Sequence, residues 1–285
     1  MANKKNIIIA PCGNRSTFFQ EKWQKNMEEK EFDLCLLFYH EQINNPSLYE
    51  SADYFFHLKG FKYHMLYELF TKVKPEWLEE YEYFYFLDDD IDIDTQGINR
   101  MFALSKAMGS AISCAALSAD SFCSWPMFKQ EPKAFCRFVG QIEVMAPLFS
   151  KEALKTCLPS FIGNKSSWGV DSVWSKQLGY PEDKLIVFDT VIMKHTLPVG
   201  QGELYVKIGV NPHDEWNDIT VKFGAKKHNY KEYSRLEHVS SKSHRVIHFL
   251  NQSGSFFARQ RKKISDYDLG SRVKSRTNKA LGKKK

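Results

Sequence analysis

The sequence predicts an α/β protein, a mixed and mostly parallel central sheet with helices on its faces. Three observations lead there. Short apolar runs rich in β-branched and aromatic residues alternate with segments whose apolar residues recur at helical spacing, the pattern of a largely parallel sheet. One such run, Tyr83-Phe84-Tyr85-Phe86-Leu87, stops abruptly in five acidic residues within positions 88–94, where open α/β sheets bind ligands. The chain has 285 residues, 43% of them hydrophobic, enough for a substantial core, and no run of 18 apolar residues that could cross a membrane.

In chain order, Ile7-Ile8-Ile9-Ala10 is the first strand. Pro11-Cys12-Gly13-Asn14-Arg15 is then a tight turn, because Pro, Gly and Asn supply turn geometry, and Ser16 or Thr17 caps a helix carrying Phe18, Phe19 and Trp23. A first strand, turn and helix entry is a common nucleotide cradle. This turn is neither a GxGxxG nor a phosphate-binding loop, and an ordinary strand-to-helix turn fits the same residues. Residues 33–39 form a second strand and residues 54–58 a short third. Lys59-Gly60-Phe61-Lys62 opens a helix with Tyr63, Leu66, Tyr67, Leu69 and Phe70 at helical spacing. Two lysines around a glycine at a helix start suit a diphosphate, or are simply solvated.

After the acids, Asp94 or Thr95 caps a helix through Met101, Phe102 and Met108. Residues 111–117 are a strand, and residues 118–132 are irregular and carry Trp125. Residues 140–147 read as a further strand holding one acid, Glu143, and Ser150 caps the helix that follows. Trp168-Gly169-Val170-Asp171 falls in a loop, where an indole face could meet the apolar face of a sugar or could be partly buried beside a capping acid. Residues 185–189 and 191–195 are two late β-type runs, and His195 ends the second. Residues 203–254 carry many charges and weak helical spacing.

The net charge of +6 is unevenly spread. Residues 255–285 hold eleven Lys or Arg against two Asp, a charge of +9, which leaves −3 for residues 1–254. A basic tail with Phe256 and Phe257 suits an anionic membrane surface, or is solvated. An acidic body argues against nucleic acid as partner. The N-terminal apolar run is too short for a signal peptide, so the expected location is the cytoplasm, peripheral to the inner face of the plasma membrane if the tail binds there. Six scattered cysteines without CxxC spacing predict free thiols, with neither zinc nor disulfides.

The acids decide the chemistry. Carboxylates crowded together repel one another unless something cationic neutralises them. A divalent metal is one solution, and a solvated polar turn is the other.

The ordered set of Phe84 to Asp90, Val139 to Ser150, Trp168-Gly169-Val170-Asp171 and His195 followed by Pro198 and Gly200 resembles the GT-A nucleotide-sugar glycosyltransferases. It is most similar to a group of bacteria and plants long known only as a domain of unknown function. The resemblance spans about residues 5–202 and includes Lys59-Gly60-Phe61-Lys62. It implies a Rossmann-like GT-A catalytic domain over residues 1–202, an extension packing on it over 203–254, and the basic tail 255–285.

The resemblance also implies roles. Asp88-Asp89-Asp90 would be the DxD motif, with Asp88 and Asp90 at the metal and Asp88 and Asp89 toward the sugar nucleotide. Asp92 offers a second register. His195 would be a distal metal ligand, and its imidazole would favour Mn²⁺ over Mg²⁺. Pro11, Cys12, Gly13, Asn14 and Arg15 would hold the nucleoside of a UDP-sugar, and Lys59 and Lys62 its diphosphate. Asp171 would be the base of an inverting enzyme, with Glu143 as competitor. Trp125, Trp168 and Gly169 would meet a glycan or lipid-linked glycan acceptor in surface polysaccharide synthesis. The rival classes are a Mg²⁺-dependent nucleotidyl or phosphoryl transferase and a nucleic-acid-binding protein acting through the tail.

Overall fold

The computed structural model describes residues 5–199, 209 and 211–238. Ten strands are taken in chain order as β1 (Asn6–Cys12), β2 (Asp33–Phe38), β3 (Tyr54–His57), β4 (Tyr83–Phe86), β5 (Ile91–Asp92), β6 (Ile112–Leu117), β7 (Ala134–Val139), β8 (Leu148–Ser150), β9 (Leu185–His195) and β10 (Glu232–Glu237). The helices are α1 (Lys62–Glu68), α2 (Trp77–Glu80), α3 (Thr95–Met108), α4 (Lys151–Cys157), α5 (Val170–Gln177) and α6 (Pro212–Phe223).

The sheet runs β10-β7-β9-β6-β8-β4-β1-β2-β3, with β5 paired to β9. It is mixed: β3, β2, β1 and β4 are parallel, and so are β6 and β9. β8 is antiparallel to both β4 and β6, so those two run the same way. The C-terminal ends of β1, β4, β6 and β9 therefore share one edge. The turn after β1, the acids after β4 and His195 at the end of β9 all lie there.

The central strands are apolar on both faces because helices cover both. Ile7, Ile8, Ile9, Leu34, Leu36, Phe84, Tyr85 and Phe86 are fully buried. Burying each such side chain contributes about 1.5–3 kcal/mol against the chain entropy lost. The helix boundaries follow their caps. Asp94 Oδ1 accepts from Gly97 N at 2.7 Å and Ser150 Oγ from Ala153 N at 3.3 Å, as the sequence predicts.

Four expectations change. Residues 140–147 are a loop, not a strand. Their carbonyls are taken from the side: Val144 O accepts from Lys62 Nζ at 2.9 Å and Tyr63 OH at 2.8 Å, and Met145 O from Lys62 Nζ at 2.9 Å. The two late runs are one strand, β9, whose pairing with β6 shifts register between Ala115 and Ala116. The helix expected after Ser16 is a single wide turn, Phe19–Trp23, and Ser16 does not cap it. Residues 211–238 supply α6 and the edge strand β10 of the same sheet, and the compact unit runs from Met1 to Glu237. The basic tail lies outside the described residues.

All six cysteines are free, and five are buried. Among the described residues no helix is long and apolar enough to cross a membrane.

Candidate active site

The five acids after β4 have five different partners. Asp88 Oδ1 sits 2.7 Å from Lys62 Nζ, Asp89 accepts from Ser16 Oγ, and Asp90 Oδ2 lies 3.0 Å from His195 Nε2. Asp92 pairs with Lys22 at 3.0 Å, and Asp94 caps α3. Asp92 is thereby drawn to one side, and Asp88, Asp89 and Asp90 face the site.

The local fold explains this convergence. β5 pairs with the end of β9, placing Ile91 opposite His195. Thr196 fastens the junction, donating to Asp90 O through N at 3.2 Å and Oγ1 at 2.9 Å. His195 is held from its other side, with Nδ1–H donated to Phe122 O at 3.0 Å. That leaves Nε2 directed at Asp90, the orientation second-shell carbonyls give to metal-binding imidazoles.

Burial sets the electrostatics. It pushes the Asp88 carboxyl upward, and Lys62 opposes it while Asp90 reinforces it. Asp89 is pushed up to about 7 by burial, partly offset by the Ser16 hydroxyl. For His195 burial acts downward, but the Asp90 bond and charge outweigh it and the net shift is upward.

A carboxylate and an imidazole already in contact, with a second carboxylate beside them, fit a divalent cation in donor type. Among the described residues no group of three or more His, Cys, Asp or Glu is arranged to hold a metal, and Asp88 is turned to Lys62.

The first turn joins this cluster through Ser16. Gly13 N donates to Ser16 Oγ at 2.7 Å, and Gly13 O accepts from Tyr49 OH at 2.9 Å. Asn14 N donates to His40 Nδ1 at 3.0 Å, and the Asn14 side chain bridges Gln42 O and Asn44 N at 2.9 Å each. Pro11 and Cys12 end β1, and Cys12 is buried while Arg15 is exposed.

The two lysines separate. Lys59 does not join the cluster; it pairs with Glu41 at the surface. Lys62 does, and its ammonium is already surrounded by Asp88 and by the carbonyls of Phe86, Val144 and Met145. Its charge, more than a spare donor, acts on the site.

On the other side stand Glu143 and Asp171. Glu143 is 7% exposed, and its Oε2 has no hydrogen-bond partner among the described residues. Burial pushes it up to about 8, with Asp171 adding to the shift. Asp171, in the first turn of α5, accepts from Ser172 N at 2.9 Å and from Tyr230 OH at 2.7 Å. Burial raises its carboxyl, and the bonds from Tyr230 and Gln141 pull the other way.

Trp125 stacks on Tyr230, with ring centroids 4.2 Å apart. Trp168 packs edge-on to His213 and Trp216, at 5.0 and 5.9 Å. Gly169 has φ 86°, and a Cβ there would lie 2.3 Å from Trp216, so glycine is required on both counts.

Sequence reasoning missed Ser16 as a link, and also Trp216, His228 and Tyr230. A signal was present for Trp216. Asn211-Pro212 and Gly224 are helix start and stop residues, and they frame α6.

No protein-family model matches the chain, and no curated protein sequence matches it. Solved structures do. Residues 1–349 of Staphylococcus aureus TarS, in complex with UDP-GlcNAc, are 14% identical with a TM-score of 0.49, over 77% of this chain and 65% of that one. The chain thus spans slightly less than two thirds of that relative. A protein from Desulfovibrio desulfuricans G20 classed as a nucleotide-diphospho-sugar transferase is 8% identical with a TM-score of 0.43, over 77% and 98%. A197 from STIV is 12% identical with a TM-score of 0.37, over 68% and 86%.

Proposed function

We propose that this protein is a GT-A glycosyltransferase, moving a sugar from a nucleoside-diphosphate donor, UDP in the first instance, to a hydroxyl of a glycan or glycolipid acceptor. The observation that carries the reading is the meeting of Asp88, Asp90, Lys62 and His195 at one sheet edge, tied through Asp89 and Ser16 to the turn after β1.

Asp90 and His195, joined by Asp88 once it leaves Lys62, would hold Mn²⁺ or Mg²⁺. Such an ion supplies Lewis-acid neutralisation of the departing diphosphate. The chain's own residues do the rest. The turn over residues 11–15 takes the nucleoside. The Lys62 charge offsets the negative charge that grows on the diphosphate. Asp171 accepts the acceptor hydroxyl proton, with Glu143 as the competing carboxylate. The acceptor oxygen bonds to the anomeric carbon as the bond from that carbon to the phosphate oxygen breaks, and its electron pair leaves with the diphosphate. Attack opposite the leaving group inverts the anomeric centre. The basic tail would hold the protein at an anionic membrane, where lipid-linked acceptors for surface polysaccharide reside.

The test is a screen of sugar nucleotides with Mn²⁺, wild type against Asp90→Ala. The reading expects release of nucleoside diphosphate from one donor and its loss in the variant. Unchanged turnover in Asp90→Ala would remove the metal; phosphoryl or nucleotidyl transfer in place of sugar release would establish the rival class.

A further inference from the structure

A cavity of about 390 Å³ lies between residues 125–127 and residues 228–231, walled by Trp125, Met127, His228, Tyr230 and Lys231. Its volume falls in the usual range of small-molecule sites, about 300–1,000 Å³. None of the acids of the β4 edge lines it.

The wall is aromatic with polar tips. Trp125 and Tyr230 stack with 23° between their planes, and His228 stands edge-on to Trp125 at 5.8 Å. His228 and Lys231 add imidazole and ammonium groups to the lining. An apolar ring face surrounded by hydrogen-bonding groups matches a pyranose, whose C–H face packs on aromatics while its hydroxyls seek polar partners.

The wall is held in place from behind. Asn229 Nδ2 donates to Gly140 O at 2.7 Å, and Asn229 N to Gln141 Oε1 at 3.2 Å. A Cβ on Gly140 would lie 2.3 Å from Asn229 O, so the loop approaches closer than any other residue type permits. Ser172 Oγ, donating to Lys227 O at 2.9 Å, fixes the loop to α5. A preformed wall saves the ordering cost that a mobile loop would bring to binding.

The wall also touches the reaction side. Tyr230 lines the cavity and donates to Asp171 Oδ2 at 2.7 Å. Glu143, with its unpartnered buried oxygen, is influenced most strongly by Asp171 among nearby charges.

The geometry points to this cavity as the acceptor site, taking a pyranose ring of a glycan. The ring packs against the wall made by Trp125 and Tyr230 and presents one hydroxyl toward Asp171. The site belongs to residues 125–127 and 228–231; Trp168 lies outside it. The inference rests on the glycosyltransferase reading above.

The experiment is saturation-transfer NMR on the full chain. The probes are methyl β-glycosides of glucose, galactose and N-acetylglucosamine, with UDP as a separate probe. Transfer is expected to the ring protons of at least one glycoside. It should fall about fivefold or more in Trp125→Leu, which removes the indole, and in Met127→Trp, which fills the space. Equal transfer in wild type and Met127→Trp overturns the assignment, and so does the absence of transfer to every glycoside. Absence of transfer to UDP overturns the donor reading instead, so the two fail separately.

Discussion

Tyr230 donates its hydroxyl to Asp171 across 2.7 Å, joining the segment after α6 to the first turn of α5. The bond favours the ionised carboxylate, the form in which Asp171 would serve as the proposed base. Tyr230→Phe removes it and leaves burial as the main influence. The acid limb of the kcat/KM profile for sugar transfer is then expected to move to higher pH. An unmoved limb would separate Tyr230 from the base.

Asp90 and His195 give the metal prediction. His195→Ala and Asp90→Asn should each weaken Mn²⁺ binding by at least about 10–100-fold, the range seen when metal-orienting partners are lost. Water-proton relaxation or calorimetry reads this directly without any donor. Unaltered Mn²⁺ affinity in both variants would mean the ion binds elsewhere or not at all.

Glu143 makes stability depend on pH. Its carboxyl is raised from about 4.5 in the unfolded chain to about 8 in the fold, so between those values the native state holds the extra proton. The contribution is fully present below about 4.5 and is lost as pH rises through about 8. Glu143→Gln, neutral throughout, should flatten the fall in melting temperature over that window and melt higher than wild type above pH 8. Parallel curves for the two proteins would contradict this.

Much of the fold was legible because a buried strand needs little besides apolar residues. β1, β2, β4 and β6 each announce themselves that way. Residues 140–147 misled for the same reason: the run looks like a strand, but Lys62 and Tyr63 claim its carbonyls. The acids themselves were legible, and their partners were not. Ser16 and Lys22, Lys62, and His195 come from three separate parts of the chain, and only strand order brings them to one edge. Lys59 and Lys62 looked equivalent, yet one faces Glu41 and solvent while the other is 9% exposed at its side chain.

Arg137 and Asp189 test the scaffold beside the site. Arg137 donates to both Asp189 oxygens at 2.9 Å, and both side chains are almost wholly buried. Arg137 also donates to the carbonyls of Met127 and Lys129, and Asp189 accepts from Glu131 N, so the pair fastens one wall of the cavity. Asp189→Asn should cost about 3–5 kcal/mol in urea unfolding, since it leaves a buried charge without its counter-ion. A loss under about 1 kcal/mol would show that water reaches the pair.

Ser172 ties Gln141, Trp216 and Lys227 to one hydroxyl, through bonds of 2.9, 3.1 and 2.9 Å. These partners are far apart in sequence, and contacts of that kind form late because long loops must close first. During synthesis the residues of the β4 edge, up to His195, are made first, whereas the wall beside Asp171 must wait for residues 216–231. A chain stopped before α6 would carry the acids of the β4 edge beside an open flank. Under the proposed glycosyl transfer, the flank that would shield an activated sugar from water is thus the part made last.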